Sequence, residues 1–321
     1  MKPVILGSRG SPLALAQTRQ VMAELKRAWP GRNFEIHVIK TEGDRLAEKA
    51  DAGNLNLGKG LFTAELERAL LAGEIDLAVH SLKDLPTSSP EGLMLAAIPK
   101  RADARDVLIT RGPHLAPELP EGWDAASGSP RHGLLGPELG YGVVVATGSP
   151  RREAQLRWIR ADLCTVPIRG NIDTRLRKFR ENEEWSGLIL AAAGLERLKP
   201  NVAGLTVTRL PFSQMLPAPG QGALALQTRM ESSVDVRTLV RAVHDPVTAA
   251  AVTAERMFLQ ALGGGCGEPI AAYAEVDADH LLKMEGIAWL IGETEPRRGK
   301  LVRRLEQAEV LGVDLAVEIS R

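Results

Sequence analysis

The sequence predicts an α/β protein with two lobes of related design, each built on a mostly parallel sheet, followed by a third, smaller domain. A chain of 321 residues suits two or three domains, because single domains commonly hold about 100–200 residues. Short apolar runs typical of strands alternate with helical patterns, which favours parallel sheets covered by helices. One strand–turn–helix device with a Ser-Pro helix start occurs twice, at Ser11-Pro12 and at Ser149-Pro150.

The first occurrence of this device opens the first lobe. Val4-Ile5-Leu6 predicts a short strand, and Ser11 with Pro12 predicts the N-cap and first residue of a helix that ends near residue 28. The hydrophobic pattern then predicts three further elements: a strand over 34–41, a helix over 59–71 and a strand over 75–79.

The second occurrence follows residues 112–142, which are rich in Gly and Pro and predict a surface insertion. The break at 217–222 predicts that the chain then crosses back to the first lobe. Short strands and a helix near the C-terminus are expected for the third domain. The other predicted elements of this half are a strand over 143–146, a helix over 151–160, a strand over 223–227 and a helix over 246–262.

Composition disfavours several functional classes. Lys plus Arg and Asp plus Glu both number 40, and this zero net charge disfavours bulk binding to nucleic acid or a membrane surface. No apolar run resembles a signal peptide or a transmembrane helix, so we expect a soluble, cytoplasmic protein. The cysteines, Cys164 and Cys266, lack the spacing of a metal site. Cys164 is expected to be a buried strand residue.

Arginines accompany three strand-to-helix junctions. Arg9 precedes the first Ser-Pro start, Arg151 and Arg152 lie in the first turn of the second, and Arg169 and Arg175 flank a third junction. A helix N-terminus favours anions, so positive charge there is unfavourable unless something negative binds. The set indicates a small polyanionic ligand, since guanidinium groups pair with carboxylates or phosphates. Ordinary solvated arginines remain the alternative.

Polar groups also follow the strand predicted over 75–79. Ligands of open α/β sheets bind at the carboxyl ends of strands, where Lys83 and Asp84 are placed. Lys83 could pair with an anionic group, and Asp84 could stabilise a cation or act as a general acid or base. A loop with a local ion pair would explain the same residues. His80 is equally compatible with a structural role and with proton transfer.

Cys266 follows three glycines, and such a loop could leave its thiol open for covalent chemistry. No base partner is evident in the sequence, so an inert thiol also remains open. Gly58-Lys59-Gly60 lacks the remainder of a phosphate-binding loop, because Leu61 follows.

Taken together and in chain order, these segments resemble the porphobilinogen deaminase family, also called hydroxymethylbilane synthases. The resemblance extends over nearly the whole chain, and it is the ordered set that makes it specific. The matching motifs are RGSPLAL at 9–15, GKGLF at 58–62, AVHSLKDLP at 78–86, Arg151-Arg152 with Gln155-Leu156, RGN at 169–171 with TRL at 174–176, AGL at 193–195, PGQGA at 219–223, and TAER at 253–256 with GGC at 264–266.

The resemblance implies three domains, of which the first two are similar to solute-binding lobes. Residues 1–100 with about 220–240 would form the first lobe and its active-site cleft. Residues 101–219 would form the second lobe, and residues 245–321 the C-terminal domain that carries the cofactor cysteine.

The implied activity is that of a transferase of tetrapyrrole biosynthesis. It joins four porphobilinogens into hydroxymethylbilane and releases ammonia, on a dipyrromethane cofactor held through a thioether to Cys266. Asp84 would be the catalytic carboxylate near the pyrrole nitrogens. A monomer is implied, with no metal, nucleic-acid or membrane partner. The implied cofactor-binding residues are Ser81, Lys83, Thr147, Ser149, Arg151, Arg152 and Arg175, and the implied substrate-binding residues are Arg9, Ser11, Arg169 and Arg197.

The residue chemistry agrees with this activity. Porphobilinogen carries two carboxylates, so a chain of pyrroles is a polyanion that several arginines could hold. Loss of ammonia leaves a cationic azafulvene, which a buried carboxylate such as Asp84 would stabilise.

Three departures from the family pattern concern the details of binding. Leu55 stands where a lysine is expected, Gly148 stands where serine is common, and residues 112–142 exceed the usual connection. Two alternatives stay open: a non-catalytic, two-lobed polycarboxylate-binding protein, and a tetrapyrrole-binding regulator descended from the enzyme.

Overall fold

The computed structural model describes residues 2–41, 63–111, 143–232, 234–264, 267–290 and 292–321. The predictions for Leu55, for the GKG motif at 58–60, for the insertion at 112–142 and for Cys266 lie outside these residues.

The described residues form three sheets with helices against them. The strands are β1 (Val4–Arg9), β2 (Phe34–Ile39), β3 (Leu77–Ser81), β4 (Leu93–Ala97), β5 (Asp106–Arg111), β6 (Val144–Ala146), β7 (Cys164–Val166), β8 (Trp185–Ala191), β9 (Leu205–Arg209), β10 (Leu224–Arg229), β11 (Ile270–Val276), β12 (Leu281–Ala288) and β13 (Arg297–Arg304). The α-helices are α1 (Pro12–Ala28), α2 (Ala64–Leu71), α3 (Pro150–Ile159), α4 (Ile172–Glu181), α5 (Ala192–Leu198), α6 (Val234–Arg241), α7 (Pro246–Ala261) and α8 (Ala308–Ser320).

The first sheet has the order β2-β1-β3-β10-β4. β1 pairs in parallel with β2 and β3, and β10 pairs antiparallel with β3 and β4, so β10 alone runs against the others. We call this sheet and the helices against it the first lobe. α1 begins as predicted, because the Ser11 side chain accepts a hydrogen bond from the Ala14 N–H at 3.3 Å and Pro12 occupies the first turn.

The second sheet repeats this arrangement in the order β7-β6-β8-β5-β9. β6 pairs in parallel with β7 and β8, and β5 runs antiparallel between β8 and β9. The mostly parallel sheets and the related design of the two lobes are therefore confirmed. We call this sheet and its helices the second lobe.

In each lobe, the antiparallel strand is the first strand that the chain forms after it arrives from the other lobe. β5 follows the first four strands of the first lobe, and β10 returns to pair with β3 after β9 of the second lobe. The predicted crossing at 217–222 is thus confirmed. Two connections, before β5 and before β10, run side by side where the Ala102 N–H donates to the Gly222 carbonyl at 3.3 Å.

A three-stranded antiparallel sheet, β11-β12-β13, forms the C-terminal part with α7 and α8. Its core includes Phe258 and Leu315, both 0% exposed. The two helices meet at Gly312, where an added Cβ would lie 2.2 Å from the Ala254 carbonyl oxygen. This backbone-to-backbone approach requires glycine at that position.

One burial prediction is wrong. Cys164 is a strand residue, as expected, but it is exposed. β7 is the edge strand of the second sheet, so one side of this three-residue strand has no neighbouring strand to cover it. Within the described parts of the chain, no helix is both long and apolar enough to cross a membrane.

Candidate active site

The site lies where several strands of the two lobes end. Lys83 and Asp84 follow β3, Thr147 and Ser149 follow β6, and Arg169 follows β7. The charge of Lys83 in the first lobe interacts with those of Arg151 and Arg152 in the second, and the charge of Asp84 interacts with that of Arg175. The structure therefore brings together predicted residues that are far apart in sequence.

Lys83 belongs to a single 3-10 turn, Leu82–Asp84, at the end of β3. Its Nζ donates to Gln221 Oε1 at 3.3 Å. Burial lowers the pKa of Lys83 to about 8. The positive charges of Arg152 and Arg151 also lower this pKa, whereas the negative charges of Asp84 and Asp106 raise it. The ammonium group can therefore lose its proton in a mildly alkaline solution.

Asp84 is exposed, and the expectation of a buried carboxylate is wrong for this structure. The cause is the 3-10 turn, in which residues three apart share one side. Leu82 and Leu85 take the buried side at 0% and 5% exposure, so Asp84 lies on another side. Its charge still raises the pKa of both Lys83 and Arg175. Asp84 is thus an accessible carboxylate among cations.

Arg151 and Arg152 are buried against Asp106. Asp106 was not among the site residues predicted from the sequence. Arg151 donates to Asp106 Oδ2 and Arg152 to Oδ1, both at 2.8 Å, and the Asp106 side chain is fully buried. Burial alone would raise the pKa of Asp106, but the two guanidinium groups hold it well below its usual range. The protein's own carboxylate thus supplies part of the negative charge that these helix-start arginines require.

Asp106 gave one signal in the sequence. It is a lone acidic residue at the start of the apolar strand β5, Asp106–Arg111. A buried carboxylate must be paired, so such a position calls for a cationic partner elsewhere in the chain. The sequence does not indicate which cation fills that role.

Gln221 connects Asp106 to Lys83 and was also missed as a site residue. Its Nε2 donates to Asp106 Oδ1 and to the Ala104 carbonyl, both at 2.8 Å. Its Oε1 accepts from Lys83. The PGQGA motif placed it in the family pattern, but its partners are more than 100 residues away in sequence, at separations of 138 and 115.

Arg169 and Arg175 complete the cationic cluster. Arg175 donates through Nε to the Gly170 carbonyl at 2.8 Å, and Arg169 is exposed. Burial lowers the pKa of Arg175 to about 10, and the charges of Arg152 and Arg169 lower it further, against that of Asp84. Positive charge is therefore concentrated here.

The hydroxyl groups have local roles. Ser11 caps α1, and Ser81 Oγ accepts from Gln17 Nε2 at 2.7 Å. Thr147 is buried, and its Oγ1 accepts from the Ser149 N–H at 3.3 Å. Ser149 precedes α3 without a side-chain cap bond.

Two further predicted residues, Arg197 and Arg9, lie at other places in the fold. Arg197 of the second lobe donates to Gln20 Oε1 at 3.3 Å and to the Gly222 carbonyl at 2.8 Å. It thereby contacts α1 and the return crossing. Arg9 ends β1, and its charge lowers the pKa of the buried His80.

His80 has a structural role. Its Nε2 lies 3.1 Å from Gln227 Oε1, and the residue is 5% exposed. Burial lowers its pKa to about 4, so it is neutral near pH 7.

Gly148 is explained by close packing. A Cβ at this position would lie 2.5 Å from the carbonyl oxygen of Ile168. Serine, which is common there in the family pattern, would not fit this backbone without a shift.

The C-terminal part is joined to the crossings by Arg101 and Glu255. Arg101 pairs with Glu255 through two hydrogen bonds of 2.7 and 3.0 Å. The same carboxylate accepts from the Gly220 and Ala274 N–H groups at 2.7 and 2.8 Å. Phe212 and Tyr273 stack nearby with ring centroids 3.8 Å apart. These contacts hold α7 and β11 against both lobes.

Two family models match the chain. One, described as "Porphobilinogen deaminase, dipyromethane cofactor binding domain", matches residues 4–236, and the other, "Porphobilinogen deaminase, C-terminal domain", matches residues 249–321. The chain belongs to the porphobilinogen deaminase family. The resemblance of the motifs is thereby confirmed.

Relatives of this family match over nearly the full length. The porphobilinogen deaminase of Syntrophus aciditrophicus is 43% identical, covering 97% of this chain and 93% of the relative. That of Thermus thermophilus is 41% identical, covering 99% and 96%. That of Deinococcus radiodurans is 42% identical, covering 99% and 96%.

The porphobilinogen deaminase family consists of transferases, hydroxymethylbilane synthases, that use a dipyrromethane cofactor. The comparisons support this activity over the alternative of a non-catalytic binding protein. Two observations on the described residues fit a ligand that carries several carboxylates, such as this cofactor. First, the cations of the cluster outnumber the carboxylates of Asp84 and Asp106. Second, among the described residues Arg151 Nε is buried without a hydrogen-bond partner.

Proposed function

We propose that the cluster around Lys83, Asp84 and Arg175 is where this chain joins four porphobilinogens into hydroxymethylbilane with release of ammonia. The observation that carries this is the meeting of one accessible carboxylate with cations from both lobes. When bound, the dipyrromethane cofactor supplies a covalent primer for the growing chain.

In this proposal the cations hold the carboxylates of cofactor and substrate. Lys83, Arg151, Arg152 and Arg175 act on the cofactor together with Ser81, Thr147 and Ser149, and Arg9, Ser11, Arg169 and Arg197 act on the substrate. The excess of positive charge supports this role, because Arg175 is destabilised by Arg152 and Arg169 and a ligand carboxylate would relieve that repulsion. Arg151 and Arg152 act from a framework already bound to Asp106.

Asp84 is proposed as the catalytic carboxylate. It is accessible, and its negative charge acts on Lys83 and Arg175, so it can lie close to a pyrrole nitrogen on which positive charge develops. A fixed carboxylate stabilises such charge most when the arriving ligand excludes water from around it. The exposure of Asp84 in the protein alone is compatible with burial under the ligand.

Cys266 is proposed as the thioether attachment point. In sequence it lies between α7, which ends at Ala261, and β11, which begins at Ile270. The Arg101–Glu255 pair fixes both of these elements relative to the lobes. Because both elements are held against the lobes, a cofactor attached to Cys266 could extend from the C-terminal part into the cleft.

The three sheets also support the division into residues 1–100 with about 220–240, 101–219, and 245–321 as domains. We further propose a monomer that works in the cytoplasm and has no nucleic-acid or membrane partner. The zero net charge favours the absence of such partners.

The first test is the intact mass of the purified, denatured protein. A covalent excess equal to two porphobilinogen-derived units is expected in the wild type and in Cys164→Ser, and is expected to be lost in Cys266→Ser. Cys164→Ser is the matched control because Cys164 is the other cysteine of the chain. An excess that survives Cys266→Ser would refute the attachment site.

The second test concerns Asp84. Asp84→Asn keeps the shape and removes the charge, so a large fall in kcat with normal cofactor mass is expected, of the order of 10²-fold or more. Asp173→Asn, an exposed acidic residue in the first turn of α4, is the control. Release of hydroxymethylbilane at the wild-type rate by Asp84→Asn would refute the role of Asp84.

A further inference from the structure

Gln221 lies where the two lobes and the C-terminal part meet. It belongs to the return crossing, between Gly220 and Gly222, and it is 0% exposed. Its backbone carbonyl accepts from Arg101 Nε at 2.8 Å, and Arg101 in turn holds Glu255. Its main chain is therefore fixed to the crossing that leaves the first lobe.

The side chain of Gln221 has a defined orientation. Both hydrogens of Nε2 are used, one by the Ala104 carbonyl and one by Asp106 Oδ1, at 2.8 Å each. Oε1 therefore faces Lys83 Nζ, 3.3 Å away. The reversed amide would place its NH₂ group against an ammonium group and its oxygen against a carboxylate.

These contacts form a continuous chain of polar groups across the cleft. It begins at Lys83 of the first lobe, passes through Gln221 to Asp106, and ends at Arg151 and Arg152 of the second lobe. An amide is suited to the middle of this chain, because it accepts from a cation on one side and donates to an anion on the other. Glutamate could not donate to Asp106, and an apolar side chain could do neither.

We propose that Gln221 is a positioning residue that holds Lys83 at a set distance from the Asp106–Arg152 pair, so that cations of both lobes face one ligand with fixed spacing. The proposal rests on the proposed role of Lys83 in binding the carboxylates of the cofactor. The cofactor is the acceptor that each porphobilinogen must meet, so a displaced Lys83 would weaken the productive binding that KM for porphobilinogen measures. Gln221 acts through Lys83 and Asp106 and need not touch the ligand.

The charge state of Lys83 offers a readout that packing alone would not move. Lys83 is close enough to Asp106 and Arg152 for both to affect its protonation. A carboxylate introduced at Gln221 would lie beside Nζ and favour the charged lysine. An apolar side chain of similar length would remove the contact without adding charge.

The experiment compares Gln221→Glu and Gln221→Met in the full-length, cofactor-loaded protein. Acylation of Lys83 by acetic anhydride, followed peptide by peptide by mass spectrometry across pH 6–11, measures its protonation without using activity. Gln221→Glu is expected to move the labelling midpoint upward by about one pH unit or more. Gln221→Met is expected to raise KM for porphobilinogen about tenfold, with a smaller change in kcat.

The matched control is Gln227→Met. Gln227 is also a buried glutamine, at 1% exposure, but it contacts His80 rather than Lys83. It is expected to lower Tm without moving the Lys83 midpoint or KM. An unchanged midpoint in Gln221→Glu, or an equal rise of KM in Gln227→Met, would overturn the proposal.

One further variant, Lys83→Gln, separates this proposal from the one on which it rests. If Lys83→Gln raises KM but neither Gln221 variant alters the midpoint or KM, only the role of Gln221 is refuted. If Lys83→Gln leaves KM unchanged, the ligand-binding role of Lys83 is refuted, and the proposal for Gln221 falls with it.

Discussion

Replacing Glu255 by glutamine should loosen the C-terminal part from the two lobes. The Glu255 carboxylate is fully buried and accepts four hydrogen bonds, two from Arg101 and one each from the Gly220 and Ala274 N–H groups. Glutamine keeps one acceptor oxygen. Its NH₂ group would face two donors, and the charge of Arg101 would lose its partner.

The size of the effect follows from this geometry. Removing one partner of a buried ion pair costs about 3–5 kcal/mol, because the remaining charge stays desolvated. A chain of this length loses roughly 2 °C of Tm for each kcal/mol, so Glu255→Gln should lower Tm by about 6–10 °C.

Thermal unfolding followed by tryptophan fluorescence measures this shift. The probe is suitable because the ring centroids of Trp158 in the second lobe and Trp289 in the C-terminal part lie 6.5 Å apart, edge to face. Separation of these two parts would therefore change the surroundings of both rings. The matched control is Glu181→Gln, which breaks an exposed pair with Arg177 on α4. Such pairs contribute about 0.3–0.5 kcal/mol, so the control should shift Tm by about 1 °C. Equal shifts in the two variants would refute the reasoning.

Four other results are expected. Lys83, with its pKa lowered to about 8, is charged below that pH, so its hold on the cofactor carboxylates should weaken as pH increases through 8. The kcat/KM for porphobilinogen should then fall over the same range, and Lys83→Arg should flatten the profile; a flat wild-type profile would contradict this. The pKa of His80 falls from 6.5 to about 4 on folding, so the unfolded chain takes up a proton at a higher pH than the folded protein does. The free energy of unfolding, measured with urea, should therefore fall by about 3 kcal/mol between pH 6.5 and 4. The fall should be much smaller in His80→Gln. Gly148→Ser should cost about 1–3 kcal/mol by overlap with the Ile168 carbonyl, with a Tm fall of a few degrees as the measurement. Cys164, being exposed, should react with a maleimide in the native protein, whereas a mass adduct seen only after unfolding would show it to be buried.

Much of the fold could be predicted because its signals are local. Ser11-Pro12 and the junction flanked by Arg169 and Arg175 mark the starts of α1 and α4. In the structure, Ser11 and Asn171 cap these helices through bonds to residues three positions away. The break at 217–222 predicted the return crossing, and the structure gives positive φ angles of 75° and 86° at Gly220 and Gly222, which other residues rarely adopt. Such features depend on a few neighbouring residues, so one sequence is enough to find them.

The partners of the site residues could not be predicted in this way. Nothing near Arg151 and Arg152 indicated Asp106, which lies 45 and 46 residues earlier in sequence. Burial was equally hard to predict. Asp84 is exposed because it lies on the outer side of its 3-10 turn, and Cys164 is exposed because β7 is an edge strand.

The sequence by itself determined several of the strands and helices, the repeated lobe design and the family, because caps, periodicity and ordered motifs are written in consecutive residues. Only the tertiary structure decided which charges meet. Gln221 reaches Lys83 and Asp106 from a distant part of the chain. Electrostatic pairing and desolvation depend on distances in space, and the packing of the two lobes and their crossings sets those distances.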